Sequence, residues 1–148
     1  MLMDELRGLS LAGDIKVYPF HYSVEFPIAL LLAGATIPLP VVINNDADFV
    51  IRQSQLTAYS AAGVFAPAPD LVVTLFDSGS GRNWQDQPQH VRNVLGSGEL
   101  PFLWTEPAKL AGGSQLIVTL TNRDAIPFLV NITFSGLKVV YLAGYNRG

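Results

Sequence analysis

The sequence predicts an all-β fold: an antiparallel β-sandwich, with a jelly roll as its candidate connectivity and an extended N-terminal arm. Three observations lead there. Apolar residues alternate with polar ones along several short runs, the signature of half-buried strands. Turns rich in Gly and Pro separate seven or eight such runs, a spacing typical of sandwiches. No run outside the first residues has the spacing of a helix of useful length. With 148 residues the chain has the size of one domain, long enough to bury a core without staples.

Residues 1–14 read as the arm and residues 15–148 as the sandwich domain. In the arm, Leu2, Leu6 and Leu9 have helical spacing. They predict one helical turn in a frayed tail, or an arm that docks on a neighbouring subunit. Asp4 and Glu5 precede Arg7, and a secretory leader needs a basic start and an apolar run, so the expectation is an intracellular product.

The clearest strand follows. Tyr18, Phe20, Tyr22, Val24 and Phe26 alternate with Pro19, His21, Ser23 and Glu25. Pro19 cannot donate to a ladder and predicts an edge position. From Phe26 to Asn45 no residue is charged. Phe26–Ile43 approaches the length of a membrane span, but Pro27, Pro38 and Pro40 break the helix that lipid requires. Two strands, or a strand and an extended arm, dried by packing against protein, are expected instead.

Val41–Ile43 reads as a strand ended by Asn44-Asn45-Asp46. Phe49–Tyr59 reads as a long one whose apolar phase shifts, which places a bulge near Gln53–Gln55. Residues 61–70 hold Gly63, Pro67 and Pro69 and form a loop. Leu71–Phe76 is a strand apolar on both faces, and residues 77–82 turn. Residues 82–94 are irregular, with a short helical turn before Leu95. Residues 96–109 are extended and punctuated by Pro101 and Pro107. Ser114–Thr121 and Phe128–Ser135 alternate, Gly136 marks a bulge, and Leu137–Leu142 continues the last strand. Leu71–Asp77 resembles Leu116–Asn122, through pseudo-symmetric halves or through convergence of core strands on one pattern.

Composition narrows function. Lys and Arg number 9 against 12 Asp and Glu, a formal net charge of −3. No basic excess is available to neutralise phosphates, so nucleic acid is a poor partner. Charged residues are 14% against an ordinary value of about 25%, and mean hydropathy is +0.32. That excludes intrinsic disorder and predicts more apolar surface than one copy hides. Cys is absent, which removes disulfides, zinc thiolates and thiol nucleophiles.

Candidate chemistry is sparse. His21 and His90 form no paired ligand motif. Asp46 and Asp48 could approach one Ca²⁺, but the spacing of a hand-type loop is missing, and a solvated turn explains them. Glu99 and Glu106 could flank a sugar, yet nothing fixes their separation. Ser78-Gly79-Ser80-Gly81 fits neither a nucleophile elbow nor a phosphate loop and reads as a hairpin tip. Asn131-Ile132-Thr133 has the form of a glycosylation sequon in mid-strand. No catalytic group, metal ligand or cofactor is assigned.

Trp84 lies in a polar loop, where sugar stacking, a partner contact or packing beneath its own loop could hold it; Trp104 reads as core. Partner contacts are assigned to Phe26, Leu30, Leu31, Leu32, Ile37 and Leu39 of the uncharged stretch, with Arg82 and Trp84 as a second patch.

The layout resembles the capsid decoration, or cement, proteins of tailed bacteriophages. The stretches concerned are Asn44–Arg52, Val72–Arg82 with its Asp-x-Gly-x-Gly-Arg turn, Leu100–Pro107, Gly113–Asn122 and Ile132–Tyr141. The resemblance spans residues 15–142 and contains no diagnostic motif. It implies a non-enzymatic virion protein that joins neighbouring capsomers as a dimer or trimer. It further implies assembly in the host cytoplasm and partnership with the major capsid protein and other virion proteins. The competing expectation is a carbohydrate- or receptor-binding module of a phage tail or head appendage, resting on Trp84, the Gly/Ser loop and Asp46/Asp48. An enzyme, in practice a hydrolase, is the third.

Overall fold

The computed structural model describes residues 2–11 and 14–142. Residues 143–148 of the predicted sandwich and the side chain of Leu9 in the predicted helical stripe lie outside the described residues.

Helix α1 (Leu2–Leu11) is followed by strands β1 (Ile15–Phe26), β2 (Thr36–Val42), β3 (Asp48–Ser60), β4 (Leu71–Asp77), β5 (Arg82–Asn83) and β6 (Gln89–His90). The short helix α2 (Val91–Val94), β7 (Phe102–Leu110), β8 (Gln115–Asn122) and β9 (Phe128–Tyr141) complete the order. Two sheets form, A with the order β1-β9-β3-β7 and B with the order β2-β8-β4-β5, where β6 also pairs with β4. Every ladder is antiparallel, and the chain is an antiparallel β-sandwich. The pairings nest: β1 joins β9, β2 joins β8, β3 joins β7, and β4 joins β5 and β6.

The period-two runs explain the core. Tyr22, Val24 and Phe26 on β1, Phe128 to Phe134 on β9, and Leu56 and Ala58 on β3 face Leu71, Val73 and Leu75 on β4. Leu116, Val118 and Leu120 on β8 join them from sheet B. The similar segments Leu71–Asp77 and Leu116–Asn122 lie side by side, paired from Leu71↔Asn122 to Asp77↔Leu116 at the centre of sheet B. Prolines within strands fall only on edge strands: Pro19 on β1, Pro38 and Pro40 on β2, Pro107 on β7. There the missing N–H costs no ladder bond and discourages added strands.

The phase shift of β3 is a bulge between Ile51 and Gln53. It closes against Gly136, where a Cβ would sit on the carbonyl oxygen of Val50 and within 3.1 Å of Ile51 Cα. Only glycine allows that approach.

Two expectations are corrected. The N-terminal residues are not extended, nor a single helical turn. They form a ten-residue helix that packs Leu2, Met3 and Leu6 on Ile15, Val50 and Val139 of sheet A's outer face. Asp4 and Glu5 lie in its first turn, where they complement the helix dipole. The strand expected at Val41–Ile43 runs instead from Thr36 to Val42, prolines included. No helix among the described residues is long and apolar enough to cross a membrane.

Candidate functional site

The nested pairings bring three loops to one end of the sandwich: residues 27–35 after β1, 61–70 after β3, and 123–127 before β9. Three charge-free runs of sequence, residues 26–45, 53–69 and 125–137, supply most of this end. Leu30, Leu32, Tyr59, Val64, Phe65 and Ile126 are all exposed there, Leu32 at 52%, Val64 at 63% and Phe65 at 50%. Scattered exposed apolar residues are ordinary, but these six gather at one end, which they share with the charged Asp70, Arg123 and Asp124.

The fully buried Asn122 builds this surface. Its Nδ2 donates to the carbonyls of Leu31 (3.2 Å) and Ile126 (2.8 Å), and its Oδ1 accepts from Asp124 N (2.9 Å). Its backbone N donates to Ala35 O, and its O accepts from Gly34 N. Gly34 makes that return with φ +76°, a conformation that suits glycine. The third loop is tied in by Asp70, whose N donates to Asp124 Oδ2 (2.9 Å), and by Arg123 N, which donates to Asp70 O. Phe65 meets Tyr59 ring to ring at 5.8 Å. The exposed apolar side chains therefore stand on a hydrogen-bonded platform.

The assigned partner residues divide. Leu30 and Leu32 are on this surface. Phe26 and Leu31 are not: both are fully buried in the chain's own core and can offer a partner nothing. Ile37 and Leu39 are half-buried on the edge strand β2, packed against the core. Arg82 is exposed at the opposite end, where it pairs with Asp77 across the β4–β5 hairpin. Tyr59, Val64, Phe65 and Ile126 complete the patch. Their signal in the sequence was the second and third charge-free runs.

Trp84 packs edge-on against Trp104, ring centroids 5.4 Å apart, and Trp104 against Phe102 at 5.7 Å. They line a cleft of about 340 Å³ that also takes in Val94, Thr105 and Glu106. Trp104 is half-buried rather than core, and its Nε1 donates to Ser54 Oγ at 3.2 Å. The side chain of Gln85 stands in for a strand, accepting from Leu75 N (2.8 Å) and donating to Val73 O (3.3 Å).

Asp46 and Asp48 serve separate cations. Asp46 is exposed and pairs with Lys138 at 3.0 Å; Asp48 is buried, pairs with Lys109 at 3.5 Å and accepts from Gly112 N. Beside them, burial pulls the Lys109 ammonium down. The hydrogen bond and attraction to Tyr141, together with Asp48, outweigh this and hold it above its ordinary value. Burial, with help from Asp48, pushes the Tyr141 phenol up against the pull of Lys109. His21 Nδ1 bonds Ser135 Oγ at 2.8 Å, and His90 Nδ1 accepts from Arg92 N to cap α2. No group of three or more His, Asp or Glu that could hold a metal occurs among the described residues. Asn131 accepts from Thr133 on β9.

No family model and no curated protein matches the sequence. Among solved structures, a chain of infectious bursal disease virus, Gt strain, is similar at 15% identity and a TM-score of 0.31, covering 88% of this chain and 34% of that one. A chain of the Gx strain is similar at 13% identity and a TM-score of 0.20, covering 84% and 39%. This chain thus spans little more than a third of those it matches, and likeness at that level fixes neither fold nor function.

Proposed function

We propose that the protein is a non-enzymatic virion structural protein that binds a capsid shell as a homo-oligomer, in the manner of a decoration or cement protein. The observation that carries this is the end built by residues 27–35, 61–70 and 123–127, where Leu30, Leu32, Val64, Phe65 and Ile126 are exposed and the charged residues are confined to Asp70, Arg123 and Asp124. A surface of exposed Leu, Val, Phe and Ile held rigid by Asn122 loses little conformational entropy when covered and gains the burial of apolar area. The edge prolines favour contact through this end over strand addition. The nested pairing of β1 with β9, β2 with β8, β3 with β7 and β4 with β5 and β6 supports the finer reading that the sandwich is a jelly roll, a fold used in capsids. On this reading the partners are the major capsid protein and other virion proteins, and assembly takes place in the host cytoplasm.

Mass spectrometry of purified particles tests the proposal. The expected result is this chain in a copy number that scales with the capsomers. Absence from particles would overturn it. The aromatic cleft of Trp84, Trp104 and Phe102 favours a second reading, a carbohydrate- or receptor-binding module, because sugars stack on indole faces. A few copies per particle, with glycan binding lost in Trp84→Ala, would decide for that reading instead.

A further inference from the structure

A second cleft, of about 680 Å³, opens on the outer face of sheet A, roofed at one side by Leu2 and Met3 of α1. Its lining includes Arg52, the extra residue of the β3 bulge. On the β9 side Ile51 pairs with Gly136 and Gln53 with Ser135, so nothing opposes Arg52. On the β7 side Ile51 pairs with Ala108 and Gln53 with Leu103, so residues 104–107 of β7 stand opposite the single residue Arg52 without partners in that ladder. Both seams of β3 therefore part at this residue, and bulges re-aim the side chain they add.

We propose that this cleft binds an acidic peptide segment of a partner protein, one that presents a carboxylate between apolar side chains. The cleft lining contains Arg52 and no carboxylate, in a chain whose net charge is −3. None of the ion pairs among the described residues uses the Arg52 guanidinium. The strand order places apolar groups on both sides of it: Leu137 from β9, and Leu103 and Pro107 from β7. Leu103 is 66% exposed, an unpartnered apolar wall beside a free cation. A segment crossing the strands meets apolar, cationic and apolar ground in turn. A guanidinium binds a carboxylate with paired, charge-assisted hydrogen bonds, and neighbouring side chains shield that pair from water. The site lies on a sheet face, away from the loop end, and stands or falls independently of it.

The test is titration of the ¹⁵N-labelled full chain with N-acetyl-Leu-Glu-Leu-amide, its Leu-Gln-Leu counterpart, and acetate, followed by amide shifts. The Glu peptide should move Arg52, Gln53, Leu103, Thr105 and Leu137, and its affinity should fall with added salt. The Gln peptide, and the Glu peptide on Arg52→Gln, should bind about tenfold more weakly, the scale of one charge-assisted pair. Leu103→Glu, a surface change with an unaltered melting profile, should abolish the shifts. Equal binding of both peptides, acetate binding as tightly as the Glu peptide, or no shift at millimolar peptide would each overturn the proposal.

Discussion

Asn122 is the sharpest test of how the loop end is held. Replacing it with Ala removes three side-chain hydrogen bonds, those to Leu31 O, Ile126 O and Asp124 N. Each has a net worth of about 0.5–1.5 kcal/mol, for a total of roughly 3 kcal/mol. Leu31 O keeps a bond from Phe128 N at 3.3 Å, and Ile126 is exposed enough for water to replace its lost partner, so the upper end of that range is not reached. In a chain of this size 1 kcal/mol moves Tm by about 2–4 °C, so Asn122→Ala should lower it by roughly 6–12 °C. Asn122→Asp is the discriminating partner. It keeps the shape and the acceptor for Asp124 N, but faces a carboxylate oxygen toward two carbonyls in a fully buried position. The structure therefore predicts a larger loss for Asp than for Ala, since an unpaired buried charge costs more than a deleted group. Urea unfolding at neutral pH, with unchanged m-values, measures both. An Asp variant as stable as the Ala variant, or an Ala variant within about 1 kcal/mol of the parent, would refute the role given to Asn122.

Two further outcomes follow from packing and charge. Gly136→Ala forces its Cβ onto the Val50 carbonyl oxygen, and should cost at least the roughly 1–3 kcal/mol of an overpacked core, read by urea unfolding; an unchanged midpoint would contradict the close approach. Lys109 and Tyr141 both hold their protons more tightly in the folded chain than their ordinary values of 10.5 and 10.0 imply. Such groups stabilise the fold below the unfolded pKa and cease to as pH rises through the folded one. Stability should therefore fall above about pH 10, and Tyr141→Phe, which removes one titrating group and the main upward pull on Lys109, should flatten that fall in thermal melts; an unchanged slope would contradict the coupling.

Strand-by-strand, the fold was readable because β patterning is local. The alternation of Tyr22, Val24 and Phe26, the phase slip after Ile51 and the edge position of Pro19 each follow from residues a few places apart. The loop end was not readable, because it depends on pairings such as Phe26↔Val130 and Thr36↔Thr121 that join distant parts of the chain. Consecutive leucines show the limit. Leu30, Leu31 and Leu32 are alike in composition, yet only Leu31 turns inward, its carbonyl taken by Asn122 and Phe128. Helix α1 escaped for a similar reason. A ten-residue helix is marginal alone and gains its stability from Val50 and Val139, residues no local pattern links to Leu6. Arg52 is not distinguishable in the sequence, because a bulge residue looks like any other charged residue until its neighbours in space are known.

On the proposed function, the loop end bearing Leu30, Leu32, Val64, Phe65 and Ile126 is covered by protein when the molecule works. Sedimentation equilibrium of the full chain, compared with a Leu32→Lys, Phe65→Lys double variant, tests it most directly. The parent should form a concentration-dependent dimer or trimer and the variant should stay monomeric; at dilutions that dissociate the parent, the two should share one melting temperature, because both positions are exposed in the single chain. A parent that stays monomeric at every concentration, or a variant that associates as strongly, would contradict it.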